Sequence, residues 1–225
     1  MTQIIRSPAR ASVSQQTCSL LVRRALLASA LAATVFQAGC AAVAVTGITM
    51  GAMSMADRRT VGSQTEDAGI EIKALQNLNR LDPAASVSAT SFNRKLLLTG
   101  QVPNQNVRRE AASIASRIPQ VKMVHNELSV GPKASVGTRA RDSSITAQLK
   151  ASFYDAKDLQ SNTIKVVTED GVVYLMGIVT RAEGGRAAQL ASLTRGVRRV
   201  VTVFEYVTPA ELARIESAAR ESAKK

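Results

Sequence analysis

The chain repeats part of its own sequence, and this repetition constrains the fold more than any other feature. Three pairs of segments recur in the same order, at offsets of 77, 76 and 75 residues: 98–102 with 175–179, 121–126 with 197–202, and 67–70 with 142–145. Such self-similarity indicates two copies of one structural unit in tandem. A unit of about 60 residues buries only about 60% of its unfolded surface, so we expect the copies to support each other.

Hydrophobic periodicity predicts the same elements in both copies. In the second copy, Ile145, Leu149 and Phe153 recur every four residues, as on the buried face of a helix. Two β-branched runs follow, and a capping box at Thr180 then opens a second helix towards Leu193. The predicted strands are 87–92, 96–102 and 122–130 in the first copy and 164–168, 172–179 and 197–207 in the second. The predicted helices of the first copy are 69–81 and 107–117. Each copy is α-β-β-α-β, an α+β fold.

Four glycines fall in the interior of predicted elements. Gly100 and Gly177 come at equivalent places near the end of the second strand of each copy, where a missing side chain predicts close approach of another stretch of backbone. Gly184 and Gly185 lie inside a predicted helix, where each costs about 1 kcal/mol relative to alanine. That helix is therefore expected to be frayed.

The N-terminus has the composition of an export signal. Residues 1–39 contain four arginines and no acid, and a short apolar stretch, 25–36, precedes Ala38-Gly39-Cys40. These small residues before a cysteine resemble a bacterial lipobox, although Gln37 stands where an aliphatic residue is usual. Cleavage before Cys40 would place a lipid on its sulfur and leave no second cysteine for a disulfide. Because no aspartate follows the cysteine, the outer membrane is the expected destination.

A membrane-spanning anchor is the alternative interpretation of the same region. No charged residue occurs from 25 to 56, and that run is long enough to cross a bilayer core of about 30 Å. Its second half, 41–56, is only weakly apolar and contains two glycines. This composition favours the lipoprotein.

Composition disfavours several function classes. The net charge is +12, but four of the 29 basic residues belong to the export signal, so the remainder is only moderately basic. Two cysteines and one histidine are too few for a Cys/His zinc cluster. Export and an aromatic content of 3% argue against nucleic-acid binding. His125 has no second histidine to assist it, so we expect a structural role, no enzymatic activity and no cofactor.

Residues 60–207 resemble the BON domain family, here duplicated behind a lipobox as in outer-membrane lipoproteins of the DolP type. The resemblance is strongest at 162–179 and 196–204, and 59–62 also fits. It implies a three-stranded mixed sheet covered by two helices in each copy, no catalysis, and binding of anionic phospholipid through the second copy. The expected boundaries are a signal peptide 1–39, a lipidated tether 40–63, BON domains 64–131 and 142–207, a linker 132–141, and a helical tail 208–225.

The first helix of the second copy carries the candidate lipid contact. At 100° per residue, its outward face holds small residues, a lysine beside the expected phosphates and a tyrosine at headgroup depth. The predicted phospholipid-binding residues are Arg141, Ser144, Ala147, Lys150, Ala151, Tyr154 and Lys157. The alternative is that Tyr154 packs against the linker and Lys150 is merely solvated.

A second basic cluster lies near the end of the second copy. It consists of Arg195, Arg198 and Arg199, and strand alternation sends Arg198 and Arg199 to opposite faces. A solvated sheet edge is therefore expected there.

These observations lead to two hypotheses. The first is an outer-membrane-anchored periplasmic lipoprotein that binds anionic, phosphatidylglycerol-like phospholipid through its second BON domain and supports envelope integrity. The second is a protein–protein adaptor in an envelope or division-linked assembly, for which lipid contact is incidental.

Overall fold

The two predicted copies fold into two sheets with the same strand order. The computed structural model describes residues 57–222. The first copy consists of α1 (Val61–Leu78), β1 (Ser86–Phe92), β2 (Lys95–Val102), α2 (Gln105–Ser116), β3 (Met123–Asn126) and β4 (Ser129–Val130). The second consists of α3 (Val136–Asp155), a 3₁₀ turn (Ser161–Thr163), β5 (Ile164–Glu169), β6 (Val172–Val179), α4 (Arg181–Leu193) and β7 (Arg199–Tyr206), and α5 (Pro209–Ser222) follows it.

Strand pairing confirms the predicted α-β-β-α-β order and the mixed sheets. In the first sheet β1 pairs with β2 antiparallel and β2 pairs with β3 and β4 in parallel. In the second, β5 pairs with β6 antiparallel and β6 pairs with β7 in parallel. The strand predicted over 122–130 is interrupted, because the side-chain oxygen of Asn126 accepts from the backbone N–H of Leu128 at 3.3 Å.

Two helices begin earlier than their apolar stripes indicate. The hydroxyl of Thr60 caps α1, and that of Ser135 caps α3 by accepting from the N–H of Thr138 at 3.0 Å. Residues 136–141, predicted as the end of an exposed linker, are therefore helical. The linker just before Ser135 also contacts the first copy, because the N–H of Ala134 donates to the side-chain oxygen of Gln101 at 2.9 Å.

Alternation along the central strands divides the apolar residues among three clusters. Leu96 and Leu98 of β2 face the helices of the first copy, while Leu97, between them, faces the other way. The second copy has its own core between α3, α4 and the sheet. The third cluster joins Phe92 and Leu97 to Tyr174, Met176, Ile178 and Val203. Each sheet therefore packs its open face against the other copy, as the mutual support of the repeats requires.

Equivalent aspartates close the hairpin turn of each copy. Asp142 of α3 accepts from the N–H groups of Asp170 and Gly171, both at 2.8 Å. Asp67 of α1 accepts four hydrogen bonds, from Ser91 Oγ, from the N–H groups of Asn93 and Arg94, and from Arg59 Nη1. Burial alone would raise the pKa of Asp67, but these donors together lower it below its ordinary value. The sequence repeat thus preserves a buried carboxylate that organises a turn.

The predicted close approaches at Gly100 and Gly177 are confirmed. Gly100 has φ +115°, and a methyl group there would overlap the carbonyl oxygen of Ser86. A methyl group on Gly177 would lie 2.9 Å from the carbonyl oxygen of Thr163. Both strands therefore need a residue without Cβ at this position.

The expected fraying at Gly184 and Gly185 is wrong. Helix α4 is continuous through both glycines, and Gly184 is buried beneath two aromatic side chains of β7. A methyl group on Gly184 would lie 2.8 Å from the ring of Tyr206. The glycine lets helix and sheet approach, and that packing offsets its poor helix propensity.

The first described residues bind the second copy and the C-terminal helix. The side chain of Arg58 is 2% exposed and contacts Glu183 of α4 at 2.6 Å and Glu216 of α5 at 3.1 Å. It also donates to the carbonyl oxygen of Ile178 at 2.8 Å. The chain segment before α1 therefore fastens α5 to the second copy.

The predicted signal peptide, Cys18 and Cys40 lie outside the described residues. Within 57–222, no helix combines the length and hydrophobicity needed to cross a bilayer.

Candidate functional site

The outward face of α3 is exposed as predicted. Its buried stripe consists of Asp142, Ile145, Leu149 and Phe153. Ser144, Ala147, Lys150, Ala151 and Tyr154 are all exposed, as are Arg141 and Lys157. Tyr154 is 81% exposed. That exposure is incompatible with the alternative in which Tyr154 packs against the linker.

The cations of this region are largely unpaired. Lys150 and Lys157 have no hydrogen-bond or ion-pair partner within residues 57–222. Among the described residues, Arg141 donates only within its own helix, to the carbonyl oxygen of Gly137 at 3.3 Å and to Thr138 Oγ1 at 3.4 Å. An anion could therefore bind these cations without breaking an ion pair.

Most of the predicted residues share the outward face of α3, and some of them also line two grooves along the flanks of that helix. One groove, of 490 Å³, lies between α3, the β5–β6 turn and the α4–β7 loop. We call it the arginine groove, since Arg141, Arg195 and Arg198 line it. Ser144 is the other predicted residue in it.

The other groove, of 510 Å³, lies along the C-terminal half of α3, and we call it the tyrosine groove. Lys150 and Tyr154 line one side, and Asp57, Arg59 and Phe92 line the other. The guanidinium of Arg59 stacks 4.1 Å from the centre of the Phe92 ring and is bound by the Asp57 carboxylate at 2.6 Å. Asp57, the first described residue, therefore lies in the same groove as the exposed Tyr154.

A shallower cleft of 480 Å³ joins the middle of α3 to β5. It contains Ala147 and Lys150 together with Arg139 and Glu169. Burial raises the pKa of Glu169, and the carboxylates of Asp142 and Asp170 add to this rise, whereas a hydrogen bond from Gln101 opposes it. Two carboxylates, Asp142 and Glu169, thus line the cleft with two cations, so it is less suited to anions than the arginine groove, where three cations face two carboxylates.

Sequence reasoning missed that Arg195 and Arg198 share a groove with α3. It placed them at a solvated edge, because alternation shows which face a strand residue takes and not what packs beside that face. Arg198 and Arg199 do have different partners, but not through strand alternation, because β7 begins at Arg199 and Arg198 lies in the loop before it. Arg198 binds Asp170, whereas Arg199 reaches Glu127 of the first copy at 3.4 Å.

His125 is half-buried on β3, opposite Leu97. Burial lowers its pKa below the ordinary value, and the nearby charge of Lys95 lowers it further. No hydrogen bond to another of the residues 57–222 orients its ring, so the geometry expected of a general base is absent there. The same part of the chain holds no cluster of three or more His, Cys, Asp or Glu suited to a metal ion.

Comparison with known proteins agrees with this architecture. The BON domain family profile matches residues 66–132 and 141–208. Outer membrane lipoprotein DolP of Haemophilus influenzae is 36% identical over 184 residues, covering 80% of this chain and 95% of that protein. The 21 kDa hemolysin of Actinobacillus pleuropneumoniae is 32% identical over 154 residues, covering 67% of this chain and 79% of that protein.

A solved structure also resembles this one, though weakly. CdsD, a structural protein of the type III secretion system of Chlamydia trachomatis, superposes with a TM-score of 0.28 at 11% identity, covering 64% of this chain and 96% of that one. The matched profile spans both repeats, and the DolP match extends over most of both chains. The chain therefore belongs to the BON domain family, as an outer-membrane lipoprotein of the DolP type with two BON domains.

Proposed function

We propose that this lipoprotein binds anionic phospholipid through the outward face of α3 and thereby supports the integrity of the envelope. The observation that carries the proposal is the pairing of an 81% exposed tyrosine, Tyr154, with the unpaired Lys150 one turn before it. An aromatic ring with a polar tip suits headgroup depth, and a lysine attracts lipid phosphate.

The electrostatics of the face favour anions. Each cation near an anionic leaflet contributes about 1 kcal/mol, and Arg141, Lys150 and Lys157 are all exposed. Asp158, beside Lys157, is bound by Arg186 at 3.1 Å, which reduces its repulsion of lipid phosphate. Together these cations would strengthen binding about a hundredfold, and salt would weaken it.

The short distance along the chain from Cys40 to the folded domains also supports contact with the membrane. Asp57, the first described residue, lies in the tyrosine groove with Tyr154 and Lys150. Cys40 is seventeen residues earlier, and an extended chain of that length spans at most about 60 Å. A lipid on Cys40 would keep the folded domains within that distance of the bilayer, where weak headgroup contacts gain from high effective concentration.

Vesicle sedimentation tests the lipid specificity. We expect the chain from residue 40 onward, with Cys40→Ser to prevent acylation, to bind vesicles containing phosphatidylglycerol and not pure phosphatidylcholine vesicles. Lys150→Gln should weaken binding about fivefold, the equivalent of about 1 kcal/mol. Tyr154→Ala should weaken it as well.

Lys73→Gln is the matched control, because Lys73 is an exposed lysine on α1, the corresponding helix of the first copy. It should leave vesicle binding unchanged. In cells, Lys150→Gln should increase sensitivity to detergent more than Lys73→Gln does. Equal binding to both kinds of vesicle, or equal losses in the two lysine variants, would contradict the proposal.

The anchor is tested separately by mass spectrometry of the protein extracted from membranes. We expect the mature chain to begin at Cys40 and to have the mass of a lipid-modified cysteine. A chain that keeps residues 1–39 and has no acyl group would overturn the proposed attachment.

A protein–protein adaptor is the second candidate, and one observation favours it. Val61, Ile72 and Leu75 lie on one face of α1 and are exposed, Ile72 by 57%. Exposed apolar stripes of this kind mark contact surfaces. If the adaptor role dominates, Ile72→Ser should abolish envelope function in cells without changing vesicle binding; loss of vesicle binding instead would refute it.

A further inference from the structure

The arginine groove combines guanidinium groups from two elements that are distant in sequence. Arg141 comes from α3, whereas Arg195 and Arg198 both come from the α4–β7 loop. Arginine presents a planar fork of donors that matches the oxygens of phosphate. A groove of 490 Å³ lies within the range of about 300–1,000 Å³ that small-ligand sites occupy.

Two carboxylates also line the groove, and both are already engaged. Asp142 accepts from the N–H groups of Asp170 and Gly171. The carboxylate of Asp170 is bound by Arg198, whose Nε also donates to the Asp170 carbonyl oxygen at 2.9 Å. Three guanidinium groups against two carboxylates leave a net positive groove.

The unpaired cation of this groove is Arg195. It has no ion-pair or hydrogen-bond partner within residues 57–222. In the same part of the chain, Arg141 has only the long hydrogen bonds within its own helix, to Gly137 and Thr138. Arg141 and Arg195 are therefore available to an anion, and Ser144 and Gln148 add neutral donors to the same lining.

The loop that carries Arg195 is held in place before any ligand arrives. Gly196 has φ +93°, and a methyl group there would lie 3.1 Å from Ile145 of α3, so the loop packs directly on the helix. The N–H of Arg198 then donates to the carbonyl oxygen of Gly171 at 2.8 Å. This fastening lowers the conformational entropy lost on binding.

We propose that the arginine groove binds a phosphate ester, presented by the headgroup of an anionic phospholipid, between Arg141 and Arg195. This inference rests on the proposed function, because it assigns a discrete headgroup site to one flank of the same helix. Two regions would then contact the lipid. Lys150 attracts it electrostatically, and Arg195 with Arg141 forms a defined binding site for its phosphate.

The test compares two neighbouring arginines of equal charge. Arg195→Gln removes a cation from the groove, whereas Arg199→Gln removes one that faces the first copy. Arg199 is a suitable control because it belongs to the same basic cluster and its side chain is 60% exposed. Arg195→Gln breaks no hydrogen bond or ion pair within residues 57–222, whereas Arg199→Gln loses the ion pair with Glu127 and a hydrogen bond to Tyr174. Urea unfolding of both variants therefore verifies that they are folded.

Two measurements use the chain from residue 40 onward with Cys40→Ser. In vesicles containing phosphatidylglycerol, Arg195→Gln should weaken binding about fivefold and Arg199→Gln less than twofold. Nuclear magnetic resonance titration with glycerol phosphate should shift the amides of Gly171 and Gly196 at millimolar concentration. Those shifts should disappear in Arg195→Gln and persist in Arg199→Gln.

The outcomes separate this inference from the proposed function. If both arginine variants bind vesicles equally while Lys150→Gln still weakens binding, the groove is not a headgroup site and the proposed function stands. If the chain without any of these substitutions does not bind anionic vesicles, the proposed function fails, and a lipid headgroup is not the source of the phosphate. Glycerol phosphate shifts that depend on Arg195 would then assign the groove to a soluble phosphate ester, and their absence would overturn the phosphate site altogether.

Discussion

Replacing Asp67 by asparagine should be among the most damaging single-atom changes in this protein. The Asp67 side chain is 4% exposed, and its two oxygens accept from Ser91 Oγ, from two backbone N–H groups of the β1–β2 turn and from Arg59. All four donor–acceptor distances are 2.7 or 2.8 Å. An amide group keeps one acceptor oxygen and turns the other position into a donor, so two of the four donors lose their partner.

The expected cost follows from those lost bonds. A hydrogen bond to a charged group contributes about 1.5–3 kcal/mol, and breaking a buried ion pair costs about 3–5 kcal/mol. We therefore expect Asp67→Asn to lower the free energy of unfolding by about 3–5 kcal/mol. Asp142→Asn should cost about half as much, because Asp142 accepts two backbone N–H groups and no guanidinium in the corresponding turn.

The pH dependence supplies a second, independent check. Because the folded-state pKa of Asp67 lies below its ordinary value of 3.8, the stabilisation is fully present above the unfolded-state pKa. It is lost as the pH falls through the lower, folded-state pKa. The difference between wild type and Asp67→Asn should therefore be largest at neutral pH and shrink below about pH 4.

Urea unfolding followed by far-ultraviolet circular dichroism measures these differences. Asp155→Asn is the control, because Asp155 is an exposed carboxylate on α3, and exposed changes usually stay within about 0.5 kcal/mol. The reasoning is refuted if Asp67→Asn stays within that range of wild type, or if Asp142→Asn proves the more costly change.

Three further changes test the packing of the two copies by the same unfolding measurement. Arg58→Gln should cost about 3–5 kcal/mol, because it leaves two glutamates without their buried cation; a loss below about 1 kcal/mol would show that α5 is held otherwise. Gly100→Ala should cost at least about 2 kcal/mol, since its φ is positive and the methyl group would overlap the carbonyl oxygen of Ser86. Gly185→Ala should stabilise by about 0.5–1 kcal/mol, because nothing lies within 4 Å of the added methyl group. Gly184→Ala, one residue earlier, should instead destabilise, and stabilisation by both would contradict the close helix–sheet packing.

Periodicity predicted the elements well wherever a buried stripe was continuous. The strands 164–168 and 172–179 and the helix opened by Thr180 match the structure closely, since alternation and capping are local properties. The first turns of α3 were missed, because residues 136–141 contribute no member of its buried stripe. Those turns form because Ser135 caps them and the later stripe packs on the sheet.

The candidate site was predicted in part for a similar reason. The outward face of α3 follows from helical geometry, so Tyr154 and Lys150 could be named without any tertiary information. The arginine groove could not, because Arg195 is more than fifty residues from Arg141 and only the packing of Gly196 on Ile145 brings them together. The burial of Arg58 was equally invisible, since its two glutamate partners come from α4 and α5.

The sequence by itself determined that the chain is a tandem repeat, that each unit is α-β-β-α-β, and which side of each helix and strand is apolar. These are consequences of backbone preferences and of side-chain period, which act within a few residues of the chain. The tertiary structure alone decided that the two sheets pack through their open faces, and which cations share a groove. Contacts between distant elements depend on how whole surfaces fit together, and local preferences do not specify that fit.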